Sequence, residues 1–291
     1  MAKLEDPTAT PPARRAQPAR TSSLFTPLRD NKEYIRVLMY GREGSGKTTS
    51  ALRASTGGKT LIIDAEGGLK QKALAKRGVD VDNVVVFTPP NGEPLTHAHL
   101  NSAYRQVQAD LAKDPDSWYA VVIDSASDIV TSMVHHVSDD RVTKARERGV
   151  EIDEVDEFFT DRSDYGTMAK MFRDVLRKFR DLPCHLVITA LERRDVDEDT
   201  GAVMYGPAVS PALVTDLTGY MDLVLACQAA NEDGKPFRAA TSRTKRYRAK
   251  DRLGVLPAVL VDPFFDRIAQ YVDGTLTPDT DPIQDQLNNN N

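Results

Sequence analysis

The sequence predicts an α/β fold: a mainly parallel sheet flanked by helices, with an antiparallel hairpin added at one edge. Three observations carry the prediction. Short apolar runs, "YIRVLMYG" (34–41), "TLIID" (60–64), "NVVVFTP" (83–89), "YAVVIDS" (119–125) and "HLVITAL" (185–191), are continuous rather than alternating, as strands covered on both faces must be. Helical stripes separate them. Leu100, Tyr104, Val107 and Leu111 share one face of 97–113, and Met168, Met171, Phe172, Val175, Leu176 and Phe179 share one face of 166–181. Further on, "YMDLVLACQAANEDGKPFRAATSRTKR" (220–246) reads as two strands joined by a turn at Asp233-Gly234, the antiparallel edge addition.

With 291 residues, 40% hydrophobic and 28% charged, the chain can bury one large core. We expect one domain over 31–272 between two disordered tails: 1–30, rich in Pro, Ala, Arg and Thr, and 273–291, which carries Asp273, Asp279, Asp281 and Asp285 without a base. The first residues lack the apolar centre of a secretory signal, and no run is long enough to span a membrane, so a cytoplasmic protein without membrane contact is expected. Cys184 and Cys227 each sit in an apolar run and read as reduced core residues. The five histidines show no zinc-ligand spacing. A net charge of −5 means that any nucleic-acid binding must come from a local patch.

The first strand runs into Gly41-Arg42-Glu43-Gly44-Ser45-Gly46-Lys47-Thr48-Thr49, and a helix is expected to follow. Glycines at these positions let the backbone curl so that its N–H groups face an anion. Lys47 can then reach the β- and γ-phosphates of ATP, and the Thr48 hydroxyl can ligate Mg²⁺. "WYAVVIDSAS" supplies a partner: its strand ends in Asp124, at the sheet edge where the phosphates sit, an acid suited to the Mg²⁺ side. "TLIIDAEGG" places Asp64 and Glu66 at the exit of a strand expected to reach the same edge. A carboxylate near the γ-phosphate and free of metal can orient and deprotonate an attacking water. Glu66 is assigned that role and Asp64 a supporting one; the competing reading of Glu66 is a helix N-cap neighbour.

"LIIDAEGGLKQKALAKRGVDVDNVVVFTPPNGE" (61–93) resembles the RecA family, and the likeness extends thinly from the glycine loop to about Gly254. "DYGTMAKMFRDVLRKFRDLPCHLVITALERR" (164–194) is similar to RecA-related ATPases that bacteriophages carry as recombination or annealing partners. The resemblance implies a RecA-type P-loop NTPase core, with Glu66 as catalytic glutamate and Asp124 as the magnesium-side aspartate. It implies ATP and Mg²⁺ as cofactors, single-stranded DNA as substrate, a homo-oligomer, and a single-strand-binding or annealing protein as partner. It also implies trans-acting cations. Lys250-Asp251-Arg252-Leu253-Gly254 stands where the family has a Lys-Asn-Lys or similar segment, so Lys250 and Arg252 would reach a neighbour's nucleotide. The surrounding basic run (Arg243, Lys245, Arg246, Arg248) is open to a second reading, an edge strand charged against sheet-to-sheet pairing.

Departures from the family follow. Its adenine-stacking aromatic corresponds to Ala73, and its phosphate-sensing pair to Thr189-Ala190, leaving Thr189 or Glu192 as substitutes. The segments matching its DNA loops, 138–165 and 193–212, are rich in acids, with Phe158, Phe159, Tyr165 and Tyr205 either stacking on bases or packing in the core. Phe25 in "SSLFTPL" is a candidate for a neighbour's pocket. Rival readings on the same core are a replicative helicase or helicase loader, and a nucleotide-gated protein adaptor with little DNA affinity. Small-molecule phosphotransfer ranks last, because no arginine-rich lid is evident.

Overall fold

A computed structural model describes residues 27–28, 32–149, 160–196, 201–229 and 236–284. In chain order the elements are β1 (Arg36–Gly41), α1 (Lys47–Leu52), β2 (Thr60–Asp64), α2 (Gln71–Lys76), β3 (Val84–Phe87), α3 (His97–Lys113), β4 (Ala120–Asp124), α4 (Ala126–Glu147), α5 (Arg162–Arg180), β5 (His185–Val196), β6 (Val203–Pro207), α6 (Pro211–Tyr220), β7 (Leu223–Gln228), β8 (Arg238–Ala240), β9 (Lys250–Asp251), β10 (Val259–Val261) and α7 (Phe265–Val272).

They form one sheet in the order β10-β8-β7-β1-β5-β4-β2-β3. From β7 to β3 all pairs are parallel; β8 adds antiparallel to β7, and β10 antiparallel to β8. Successive strand residues point to opposite faces, so two cores result. Leu38, Tyr40, Ile63, Ile123 and Ile188 meet α3 to α6 on one face. Val37, Met39, Ile62, Val122 and Leu225 meet α1 and α7 on the other. Both faces being apolar explains why these runs do not alternate.

Helix α3 has the bounds that its periodicity predicts, and the Thr96 side chain accepts from His99 N at its start. Helix α5 begins earlier than its apolar stripe, because Asp161 caps it and Asp164 accepts from Asp161 N at 2.9 Å.

The expected antiparallel edge is present: β7 pairs antiparallel with β8, and β8 with β10. On its other side β7 lies parallel to β1, with Val37 opposite Leu223 and Gly41 opposite Cys227, and the short β9 also pairs antiparallel with β7. The Asp233-Gly234 turn lies outside the described residues. Two other expectations need correction. Residues 138–147 are not a loop but the last turns of α4, with Ser138 and Val142 buried. Their acids are spaced on the outer face of a helix, as in the Lys144–Asp140 pair; Phe158 and Phe159 lie outside the described residues.

The second correction concerns the expected acidic tail, because residues 273–284 belong to the body. Asp281, 1% exposed, pairs with Arg267 and accepts from the Tyr271 hydroxyl at 2.6 Å. Against the cost of burial, that hydroxyl, the Ile283 amide and Arg267 hold the Asp281 carboxyl below its usual range. The Gln284 amide accepts from Val261 N at 3.3 Å and donates to Val259 O at 2.7 Å, covering edge strand β10. Removing one member of a buried ion pair leaves the other uncompensated. Asp281→Ala is therefore expected to destabilise the fold by about 3–5 kcal/mol, read from urea unfolding midpoints at constant slope. No helix among the described residues is long and apolar enough to cross a membrane.

Candidate active site at the carboxyl edge of the sheet

The parallel strands β1, β2 and β4 end together at one edge, past which β5 runs on into its pairing with β6, and the sequence-predicted Gly41–Thr49 loop, Asp64, Glu66 and Asp124 gather there. Gly41 closes β1 between Leu191 of β5 and Cys227 of β7. A Cβ at Gly41 would lie 2.3 Å from the Cys227 carbonyl oxygen, so only glycine fits this approach. Gly46 has φ 78°, in the left-handed region, and caps α1. The loop between them curls back on itself. Lys47, 7% exposed, donates through Nζ to Gly41 O at 3.0 Å and Arg42 O at 2.9 Å. The Ser45 hydroxyl donates to Arg42 O at 2.7 Å. Glu43 and Gly44 form the exposed crown, and Thr48 and Thr49 enter the helix. The buried ammonium and the curled backbone make a cradle suited to a triphosphate.

Asp124 ends β4, in register with Asp64 of β2. It is 2% exposed, and its two oxygens accept from the Thr48 hydroxyl (2.7 Å) and the Thr189 hydroxyl. Burial raises its pKa, while the two hydroxyls pull the other way. A buried carboxylate with neutral hydroxyl partners, one of them on the phosphate loop, fits the donor set of a magnesium ion bound with a nucleotide. Among the described residues no cluster of three or more His, Cys, Asp or Glu side chains could hold a metal alone, so the phosphate would have to share it.

Asp64 is spent on backbone geometry. Its Oδ1 accepts from Glu66 N (3.1 Å) and Gly67 N (2.9 Å), and Ala65 N donates to Asp124 O at 2.6 Å. This turn presents Glu66 at the surface of a cleft of about 260 Å³, lined also by Thr48, Thr49 and Asp124 and walled at its far end by α2. Partial burial, and then the negative charge of Asp124, raise the Glu66 pKa. A carboxylate held at raised pKa beside the phosphate cradle has the chemistry of a general base.

The two sensor candidates divide. Thr189, fully buried, is bound to Asp124. Glu192 lies inside β5, where its pairing passes from β1 to β6, and accepts from Arg42 Nε of the phosphate loop at 3.4 Å, tying the loop to the β5–β6 hairpin.

Lys250 and Arg252 are not brought to the chain's own phosphate loop. Lys250 pairs with Val224, near the start of β7, whereas the loop begins level with Cys227 towards its end. Lys250 Nζ donates to Thr218 O at 2.7 Å, and Arg252 donates to Gly219 O at 3.0 Å and Asp222 Oδ1 at 3.1 Å. Both satisfy carbonyls at the C-terminus of α6, a favourable place for cations. The basic run before them is exposed, and its Tyr247 stacks on Tyr205 of β6 at 5.5 Å, which answers the question of core or solvent for Tyr205 with a half-buried pair. Tyr165 is 47% exposed.

Sequence reading missed Arg77, which lines the cleft, and Phe237, whose ring lies against Gly46. Arg77 was findable, since it follows Ala73 by one helical turn. Phe237 carries no local signal.

Protein RecA of Acinetobacter baumannii (strain ATCC 17978) is 47% identical over 62 residues, 20% of this chain and 18% of that protein. Protein RecA of Streptomyces coelicolor is 44% identical over 62 residues, 20% and 17% of the two chains. The chain thus spans less than a fifth of the length of these curated relatives. The crystal structure of the RadB recombinase aligns with a TM-score of 0.44 at 19% identity, covering 74% of this chain and 81% of that one. The AAA domain family matches residues 33–253, from just before β1 to just past β9, and the chain belongs to that family.

Proposed function

We propose that this chain is a magnesium-dependent ATPase of RecA type that acts on single-stranded DNA, in recombination or replication of the phage kind. The observation that carries the reading is the convergence of Thr48, Asp124 and Glu66 on one cleft at the ends of β2 and β4, next to a loop that holds the buried Lys47 ammonium on its own carbonyls. Backbone amides of Gly41–Thr49 bind the phosphates, and Lys47 turns its ammonium from the loop carbonyls to the β- and γ-phosphate oxygens. Thr48 and Asp124 would hold magnesium, which supplies positive charge to the phosphate oxygens. Glu66 accepts a proton from the attacking water as its oxygen bonds to the γ-phosphorus and the bond to the β-phosphate oxygen breaks.

DNA action and assembly rest on the resemblance. A homo-oligomer in which Lys250 and Arg252 serve the next copy's nucleotide requires both cations to leave the carbonyls of α6. A single-strand-binding or annealing protein is the expected companion. ATP hydrolysis by the purified chain, measured with and without single-stranded DNA over a salt series, tests the reading. Stimulation by DNA that fades as salt rises is expected. Hydrolysis indifferent to DNA would overturn the DNA-coupled part and favour a protein adaptor.

A further inference from the structure

We infer that Arg77 and Phe237 build the nucleoside seat of this site, and that the seat accepts purine nucleoside triphosphates with little preference between adenine and guanine. The inference rests on Gly41–Thr49 being the triphosphate cradle.

The cleft has a polar and an apolar end. Thr48, Glu66 and Asp124 occupy the first, and Leu69, Ala73, Leu74 and Arg77 line the second. A triphosphate held at Lys47 and Thr48, with its terminal phosphate towards Glu66, must direct its nucleoside past Thr49 to the apolar end. Ala73 and Arg77 lie one turn apart on the same face of that wall, and the short Ala73 leaves space in front of it.

Arg77 is anchored through its backbone: its carbonyl accepts from Arg53 at 3.1 Å. Its guanidinium is in no ion pair among the described residues and lies over the Phe237 ring, 5.5 Å from the centroid. The ring in turn rests on Gly46, where a Cβ would meet it at 2.9 Å. Because Arg77 lines the cleft and Phe237 does not, the two form a layered stack: phosphate loop, phenyl ring, guanidinium, open cleft. A guanidinium backed by an aromatic ring offers a flat, weakly hydrated face, and flat faces of this kind stack on bases of any identity. Arg77 thus touches the base, and Phe237 is a positioning residue that holds the guanidinium plane. Lys70 is the one polar side chain among the described residues lining the apolar end beside Arg77, so stacked area rather than edge hydrogen bonds sets the preference. Purines are then favoured over pyrimidines, and adenine and guanine are nearly equal.

Titration calorimetry of the full chain with magnesium, using ATP, GTP, CTP and inorganic tripolyphosphate, tests this. ATP and GTP are expected within about threefold of each other and CTP about tenfold weaker. Arg77→Lys keeps the charge and removes the plane; Phe237→Ala removes the backing ring. Each should weaken ATP about tenfold while leaving tripolyphosphate unchanged, and Phe237→Tyr should restore ATP affinity. Equal losses for ATP and tripolyphosphate would make the ring a mere prop of the phosphate loop and overturn the inference. So would ATP binding unmoved by either variant. If the unaltered chain binds neither ATP nor tripolyphosphate, the phosphate cradle itself fails, and the seat fails with it.

Discussion

Glu66→Gln protein is expected to bind ATP with unchanged affinity and to hydrolyse it between a hundred- and ten-thousandfold more slowly. The substitution keeps the size and the backbone turn, because that turn is held by Asp64, whose carboxylate accepts from Glu66 N and Gly67 N, and not by the Glu66 side chain. What is lost is the proton acceptor. If Glu66 is the general base as proposed, it also sets the acid limb of kcat/KM. Its carboxyl is shifted upward by partial burial and by Asp124, and only the ionised form accepts a proton. Activity should therefore fall as pH drops through a value above the ordinary glutamate range, and this limb should vanish from the residual activity of Glu66→Gln. A variant that hydrolyses ATP normally would place the base elsewhere.

Lys47→Ala should act one step earlier, on binding. The ammonium is nearly buried and bonds two loop carbonyls, of Gly41 and Arg42, so it holds the loop curled as well as charging it. Its removal leaves those carbonyls facing one another and the triphosphate without its nearest cation. ATP affinity is expected to fall at least a hundredfold, corresponding to about 3 kcal/mol, in the range for a charged hydrogen-bond partner withdrawn from a buried site. Calorimetry reads the loss, and an unfolding curve near that of the unaltered chain would show that the loss is local.

The parts of this molecule legible in sequence are those set by short-range rules. The cradle is nine consecutive residues in which Gly44 and Gly46 answer to local left-handed backbone geometry, and Asp124 and Glu66 are legible because parallel strands deliver their exits to one edge. Helix α3 is legible because its stripe and its Thr96 cap agree. What was illegible depends on partners distant in the chain. The apolar run of β7 looks the same whether it turns back from β1 or lies parallel beside it; its place is set by pairing with Val37–Gly41. Asp281 looks like one more acid of a solvated tail until Arg267 and Tyr271 of α7 are seen around it. Lys250 and Arg252 look like free cations until α6 presents its last carbonyls to them. Arg77 and Phe237 meet only because Phe237, just before β8, lies against Gly46 of the phosphate loop and under the end of α2.

Phosphate release from ATP by the purified full chain, with magnesium present and with magnesium chelated, alone and with single-stranded DNA, tests the central claim most directly. The account predicts turnover that requires magnesium, is absent in Glu66→Gln, and rises with DNA. A chain that binds ATP tightly yet releases no phosphate under any of these conditions would contradict it.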